Sequence, residues 1–334
     1  MEARVEALRA LGAEVRVAAI RDPAVHHRVA AKYASLAWAS GHAALSSRIA
    51  GPRFDIVESH IAYPTGLIAR PVAALAGAPL VLFAHGADVM DVPARSSWHA
   101  RLARSTFRSA ALIIANSQFL AGEIANRDPT VAERIRILTP GIELRRFTTD
   151  VPATAPRGVV FVGRLVKRKG ADVLVRAIAC LGEPRPRLTI VGDGPEAAPL
   201  AALAGQLGVE LDLRGDLGRD AVAASMRAAA VVAVPSVYRE PLGLVALEAM
   251  AAGAIVVASA TGGLTESVRE GVTGLTVPPG DLTALTVALE RGLRIAADPM
   301  EGTAMRAAAH ALAETHDIAR AAATSLDWYG TLRR

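Results

Sequence analysis

The chain has 334 residues, a formal net charge of +5, 52% hydrophobic and 21% charged residues, and a single cysteine. That length and composition suit two globular domains and exclude a disordered chain or a disulfide scaffold. Arginine carries the excess charge, since only Lys32, Lys167 and Lys169 are lysines; this favours anionic partners such as phosphates, while 4% aromatics without aromatic-basic interleaving argue against nucleic acid.

The opening MEARVEALRALG lacks the basic start and apolar run of a secretory leader and reads as a helix ended by Gly12. The segments EVRVAAI, FDIVESH, PLVLFAHG and ALIIANS follow as predicted strands, with helices at about 27–50, 65–77, 97–109 and 117–126. No first strand with a Gly-rich turn precedes them, so the first half is expected to be incomplete at its start. The Pro-rich DVPATAPRG, residues 150–158, marks the linker.

From residue 158 the alternation is regular. The strands are GVVFVG, RLTIVG, VELDLRG, AVVAVPS, AIVVAS and GLTVPPG, each separated by helical segments. Continuous apolar strands alternating with helices specify a parallel sheet covered on both faces, a doubly wound domain. Cys180 falls in the helix ADVLVRAIACLG and is expected as a small core residue; a lone cysteine also suits a reducing, cytoplasmic setting. No apolar stretch reaches the roughly 20 residues of a membrane span. The tail ALAETHDIARAAATSLDWYGTLRR reads as one or two helices. The expected division is 1–150, 151–310 and a terminal helical segment 311–334.

In open parallel sheets ligands bind beyond the carboxyl ends of the strands. After GVVFVG, which ends at Gly163, comes a loop holding Arg164, Lys167, Arg168 and Lys169. An Arg fork beside a Lys point charge suits a diphosphate, with a solvated basic loop as the competing reading. After RLTIVG, Gly192 and Gly194 permit a tight turn and close nucleotide approach, or only a plain strand–helix turn. After AVVAVPS, Pro241 is predicted to start a helix whose bare N-terminal amides at Gly243, Leu244 and Val245 make an anion site. Glu240 precedes that terminus and Glu248 lies within the helix, roughly 12 Å further on at 1.5 Å per residue. Two carboxylates at that separation suit hydroxyls at the two ends of a nucleotide sugar. A structural ion pair is the alternative for Glu248, since its apolar neighbours leave no solvated face. Arg214 with Gly215 is a candidate base contact.

In the first half, His85 follows a strand and is the one histidine singled out; His60 has similar placement without a supporting pattern. His26, His27, His42, His99, His310 and His316 are expected on helix surfaces. No Asp-x-Asp and no Cys/His metal spacing occurs, so no metal is expected. Arg101, Arg104 and Arg108 recur at helical spacing, a patch for anionic lipid or simply a solvated face.

Glu240-PLGLVAL-Glu248 followed by AMAAG resembles the E-x7-E signature of retaining GT-B glycosyltransferases, glycosyltransferase family 4. FVGRLVKRKG, LTIVGDGPE and GGLTESVREGVTGLTVPPGD support it in the family's order, and AHGADV, ANSQF and TPGIELRRF do so in patches. The resemblance implies two Rossmann-like domains facing across a cleft and sugar transfer from a UDP- or GDP-linked donor to an unidentified acceptor, with retention and without metal or cofactor. It implies that Arg164 and Lys169 neutralise the donor diphosphate, that Glu240 holds the sugar, that Glu248 holds the ribose, and that the amides of Gly243, Leu244 and Val245 contact phosphate or sugar. It places His85 beside the sugar, and Trp328 and Tyr329 as packing anchors of a last helix that returns to the first domain. Pro140-Gly141-Ile142-Glu143 stands where the family has Asn-Gly-Val-Asp, which leaves Glu143 without an implied role. An inactive nucleotide-sugar-binding remnant and a nucleotide-sugar epimerase are the alternatives.

Overall fold

The computed structural model describes residues 2–18, 29–51, 53–148 and 158–332. The linker expected at 150–158 and both His26 and His27 lie outside those residues, apart from Gly158. The chain divides into two compact units, Met1–Pro140 with Ala319–Arg334, and Gly141–Ile318.

The first unit holds a parallel four-stranded sheet in the order β1 (Val57–His60), β2 (Leu80–Ala84), β3 (Leu112–Ala115), β4 (Ile135–Ile137). Its central strands LVLFA and LIIA are buried at every position, as apolar runs covered on both faces must be. Leu82, Ile113 and Leu120 build one core, and Val81, Phe83 and Ile114 pack with Tyr329 and Trp328 of the last helix, Ile318–Leu332, in another.

The second unit holds a parallel six-stranded sheet, ordered β10 (Leu275–Val277), β9 (Ile255–Ser259), β8 (Val231–Val234), β5 (Val159–Val162), β6 (Leu188–Val191), β7 (Leu211–Leu213). The chain runs outward through β6 and β7, then crosses back to β8 on the other side of β5. That reversal puts the topological switch point, where such sheets bind ligands, between β5 and β8.

Several expectations need correction. Residues 13–18 form no strand, although EVRV alternates; alternation chooses a face, but a strand also needs a ladder partner, and none pairs with it among the described residues. β4 was not predicted, being three residues long with Arg136 in the middle. Nor was the helix Ala87–Arg95, whose pattern is broken by Pro93. Cys180 is exposed rather than buried. It caps the helix Ala171–Ala179, two residues and hence about 200° past buried Ile178. The helix after β8 starts at Leu244, not Pro241, because Gly243 takes φ +84 as its N-cap. His316 lies in the turn between the last two helices rather than on one.

Candidate active site

In the second unit the groups beyond β5 and β8 meet. The backbone N–H of Val237 donates to the Arg168 carbonyl at 3.0 Å, tying the basic loop to the segment that follows β8. Lys169 Nζ then lies 2.6 Å from Glu240 Oε1. Glu240 is buried, and its carboxylate also accepts from Ser236 Oγ at 2.5 Å and from the Tyr238 hydroxyl at 2.8 Å. Arg168 stacks over the Tyr238 ring at 4.6 Å. These three donors fix the orientation of the buried carboxylate. Arg164 is exposed and has no carboxylate partner among the described residues.

The helix Leu244–Ala251 begins without a side-chain cap, and the N–H groups of Gly243, Leu244 and Val245 have no acceptor among the described residues. Free amides at the positive end of a helix form an anion site. Alanine at 243 would put its Cβ 2.2 Å from Leu264 Cδ2, so only glycine lets the terminus sit here. The carbonyl of Glu240 accepts from Gly263 N–H at 2.7 Å, fixing the approach to that terminus.

Glu248 is half-buried on the same helix, whose other faces pack Ala246, Leu247 and Met250 into the core against Ala309 and Ala313. It has no hydrogen-bond or ion-pair partner among the described residues. Burial pushes its carboxyl up to about 7; Glu143 adds to the rise and Arg219 opposes it. Glu143 itself is engaged by Arg146 at 3.1 Å and by Arg219 at 2.6 Å. These bonds outweigh burial and lower its pKa.

The turns after β5, β6 and β7 are laced together: Gly163 N–H donates to Val191 O at 3.0 Å and Gly192 N–H to Gly215 O at 2.7 Å. A Cβ at Gly192 would meet Gly163 O at 2.0 Å. Arg214 is held by Asp212 at 2.9 Å and Ser225 at 3.3 Å.

The first unit holds a separate cluster. His85 Nε2 lies 2.8 Å from His60 Nδ1, and His60 Nε2 lies 2.7 Å from Glu58 Oε1. Arg4 donates to both oxygens of Glu58, at 3.3 and 3.0 Å, and the Tyr329 hydroxyl donates to Oε2. Burial pushes His85 down to about 4, with His60 adding to the fall, so the ring is neutral at physiological pH. Asp88, fully buried, accepts from the N–H groups of Ala62, His85 and Gly86. Sequence reasoning missed Arg4, Glu58, His60, Asp88 and Tyr329 as members of this cluster. Only the placement of His60 at a strand end pointed to it.

Residues 3–146 match the profile described as Glycosyltransferase Family 4, and residues 150–301 that of Glycosyl transferases group 1. A D-inositol 3-phosphate glycosyltransferase of Kribbella flavida is 34% identical over 83% of this chain and 71% of its own length. The chain belongs to this glycosyltransferase family. A like-named protein of Streptomyces scabiei is 32% identical, over 69% of this glycosyltransferase and 58% of its own length. This chain therefore spans less than two thirds of that second relative. Among solved structures, Anabaena HepE in complex with UDP and glucose superposes with a TM-score of 0.76 at 23% identity, covering 89% of this chain and 81% of that one. Sucrose-phosphate synthase from Thermosynechococcus elongatus gives 0.71 at 24%, covering 92% and 79%. At these identities the likeness shows the fold, which is the GT-B type with two parallel-sheet units.

Of the residues singled out in the sequence, Gly163, Arg164, Lys169, Gly192, Arg214, Glu240, Gly243, Leu244, Val245 and Glu248 all belong to the second unit of this glycosyltransferase, and His85 to the first. Lys169 and Glu240 are in direct contact. Arg214 is already engaged by protein partners. On the helix Ser97–Ser109, Arg108 pairs with Asp128 at 2.6 Å while Arg101 and Arg104 stay exposed. No helix among the described residues is long and apolar enough to cross a membrane.

Proposed function

We propose that this chain transfers a sugar from a nucleotide-linked donor, UDP- or GDP-bound, to a hydroxyl acceptor, with retention of configuration and without a metal. The observation that carries this reading is Glu248. A desolvated carboxyl with no protein partner is costly unless a ligand supplies one, and ribose hydroxyls are suitable donors. The amides of Gly243, Leu244 and Val245 and the guanidinium of Arg164, without acceptor or carboxylate partner among the described residues, receive the diphosphate. Lys169 shifts from Glu240 to that diphosphate, which frees Glu240 Oε1 for hydroxyls of the donor sugar. These cations take up the charge that develops on the leaving diphosphate, the role a divalent ion plays elsewhere. The UDP complexes of HepE favour a UDP-linked donor, and the curated relatives favour a phosphorylated cyclitol acceptor.

The test is incubation with UDP- and GDP-sugars, with and without inositol 3-phosphate, following nucleotide release and the product anomer. Glu248→Ala should weaken nucleotide binding about tenfold or more, and Glu240→Ala should mainly cut turnover. EDTA should leave the rate unchanged. Epimerised donor without acceptor would instead identify an epimerase. Absence of both binding and turnover with every donor would sink the reading.

Peripheral contact with anionic membrane is part of the same proposal. It is supported by Trp98, 63% exposed beside Arg101 and Arg104, and by Trp38 and Ile49, 78% and 75% exposed on the helix Val29–Ala50. Exposed apolar groups, with Arg101 one helical turn from Trp98, suit a lipid interface. Co-sedimentation with vesicles should then rise with their phosphatidylserine content.

A further inference from the structure

We propose that Arg4, Glu58 and His60 form a hydrogen-bonded chain that fixes the tautomer of His85 and makes its Nδ1 a dedicated acceptor for a substrate hydroxyl. Glu58 and His60 are thus positioning residues. The proposal rests on the glycosyl-transfer reading for its kinetic consequence but not for its chemistry.

The chain starts at Arg4, buried at 4% exposure. A guanidinium has only donors. It donates to both oxygens of Glu58, to Ser325 Oγ at 3.1 Å, and to the Tyr329 oxygen at 3.0 Å. The Tyr329 proton is therefore directed at Glu58 Oε2. Burial disfavours charge on Glu58, but the bonds from His60 and Arg4 outweigh it and hold the carboxyl well below its usual range. A carboxylate only accepts, so the contact at 2.7 Å requires a proton on His60 Nε2.

With that one proton on Nε2, the His60 ring presents Nδ1 as a bare acceptor. The contact at 2.8 Å then requires the proton of His85 on Nε2. His85 Nδ1 is left bare and has no protein partner among the described residues.

The surroundings hold this arrangement. The Phe83 ring stacks on His60 at 5.1 Å and on His85 at 5.3 Å, and Arg4 lies 5.0 Å from its centroid. Asp88 pins the backbone after both strands by accepting from Ala62, His85 and Gly86. A ring fixed in rotamer and tautomer accepts from a hydroxyl and rejects a group that can only accept, such as a phosphate oxygen. His85 thus turns the hydroxyl side of a substrate toward itself.

The test is a long-range 1H–15N correlation spectrum of the full-length protein with 15N-labelled histidine at pH 8. Signals are assigned by their loss in His85→Ala. The wild type should show His85 with Nε2 protonated and Nδ1 bare. His60→Phe keeps a flat ring against Phe83 but removes both nitrogens; it should give a mixture of His85 tautomers. Its kcat should fall about 10- to 100-fold, with UDP affinity unchanged within twofold. Glu58→Gln, which can donate to His60, should move His85 toward the Nδ1-protonated form. A wild-type His85 protonated at Nδ1 overturns the proposal without any variant. So does His60→Phe with unchanged His85 signals and unchanged kcat. Failure of the wild type to turn over any nucleotide sugar strikes the transfer reading instead, while the spectra still decide the tautomer.

Discussion

Glu240 and Glu248 lie on either side of one helix terminus, yet their surroundings differ. Glu240 is surrounded by Lys169, Ser236 and Tyr238. Glu248 has no such partners among the described residues, and burial raises its pKa from an ordinary 4.5 to about 7. A raised folded-state value means that the native protein binds more protons than the unfolded chain between those pH values. Stability from this group is therefore complete below about pH 4.5 and is lost as pH rises through 7. Glu248→Gln should remove that loss: little change in melting at pH 5, and a gain on the order of 2 kcal/mol at pH 8, read by urea denaturation. Parallel pH profiles for the two proteins would contradict the assignment. Both carboxylates were legible in the sequence because they sit close together in an apolar run. The Glu58 cluster was not, because Arg4 and Tyr329 lie 54 and 271 positions from Glu58. No local pattern links residues so far apart.

At the scale of elements, the anion site depends on how the helix Leu244–Ala251 begins. Gly243 takes φ +84 with Leu264 packed where a side chain would be. Gly243→Ala should cost about 2 kcal/mol or more in chemical denaturation. It should also weaken nucleotide binding more than Glu248→Gln does, because the displaced terminus carries three amides at once. Calorimetric titration with UDP checks this; unchanged affinity would show that the terminus is not the anion site. Most strands were legible as continuous apolar runs. β4 and residues 13–18 were not, because pairing rather than composition decides whether a short segment is a strand. At β4, Ile135–Ile137 has a neighbour in β3, and Leu138 N–H still donates to Ala115 O at 2.9 Å. Residues 13–18 have the better pattern and no ladder among the described residues.

At the scale of the whole molecule, the second unit is one continuous segment, Gly141–Ile318, whereas the first is built from both ends of the chain. The fragment 141–318 should therefore fold alone, and it carries every nucleotide-side group from Gly163 to Glu248. It should bind UDP about as tightly as the full chain and transfer no sugar; circular dichroism and calorimetry decide this, and an unfolded fragment would refute it. Removing residues 319–334 should instead expose Val81 and Phe83 and lower the melting temperature of the first unit, since Tyr329 and Trp328 pack on that face. The sequence by itself determined the parallel α/β class, the family, and the groups set at strand ends. Each of these is written in local periodicity or short spacing. Only the tertiary structure decided that Lys169 closes on Glu240, that Glu248 stays unpartnered among the described residues, and that the two ends of the chain meet around Glu58. Those outcomes depend on which distant residues share a desolvated space, and there partner and proton are chosen by geometry rather than by order along the chain.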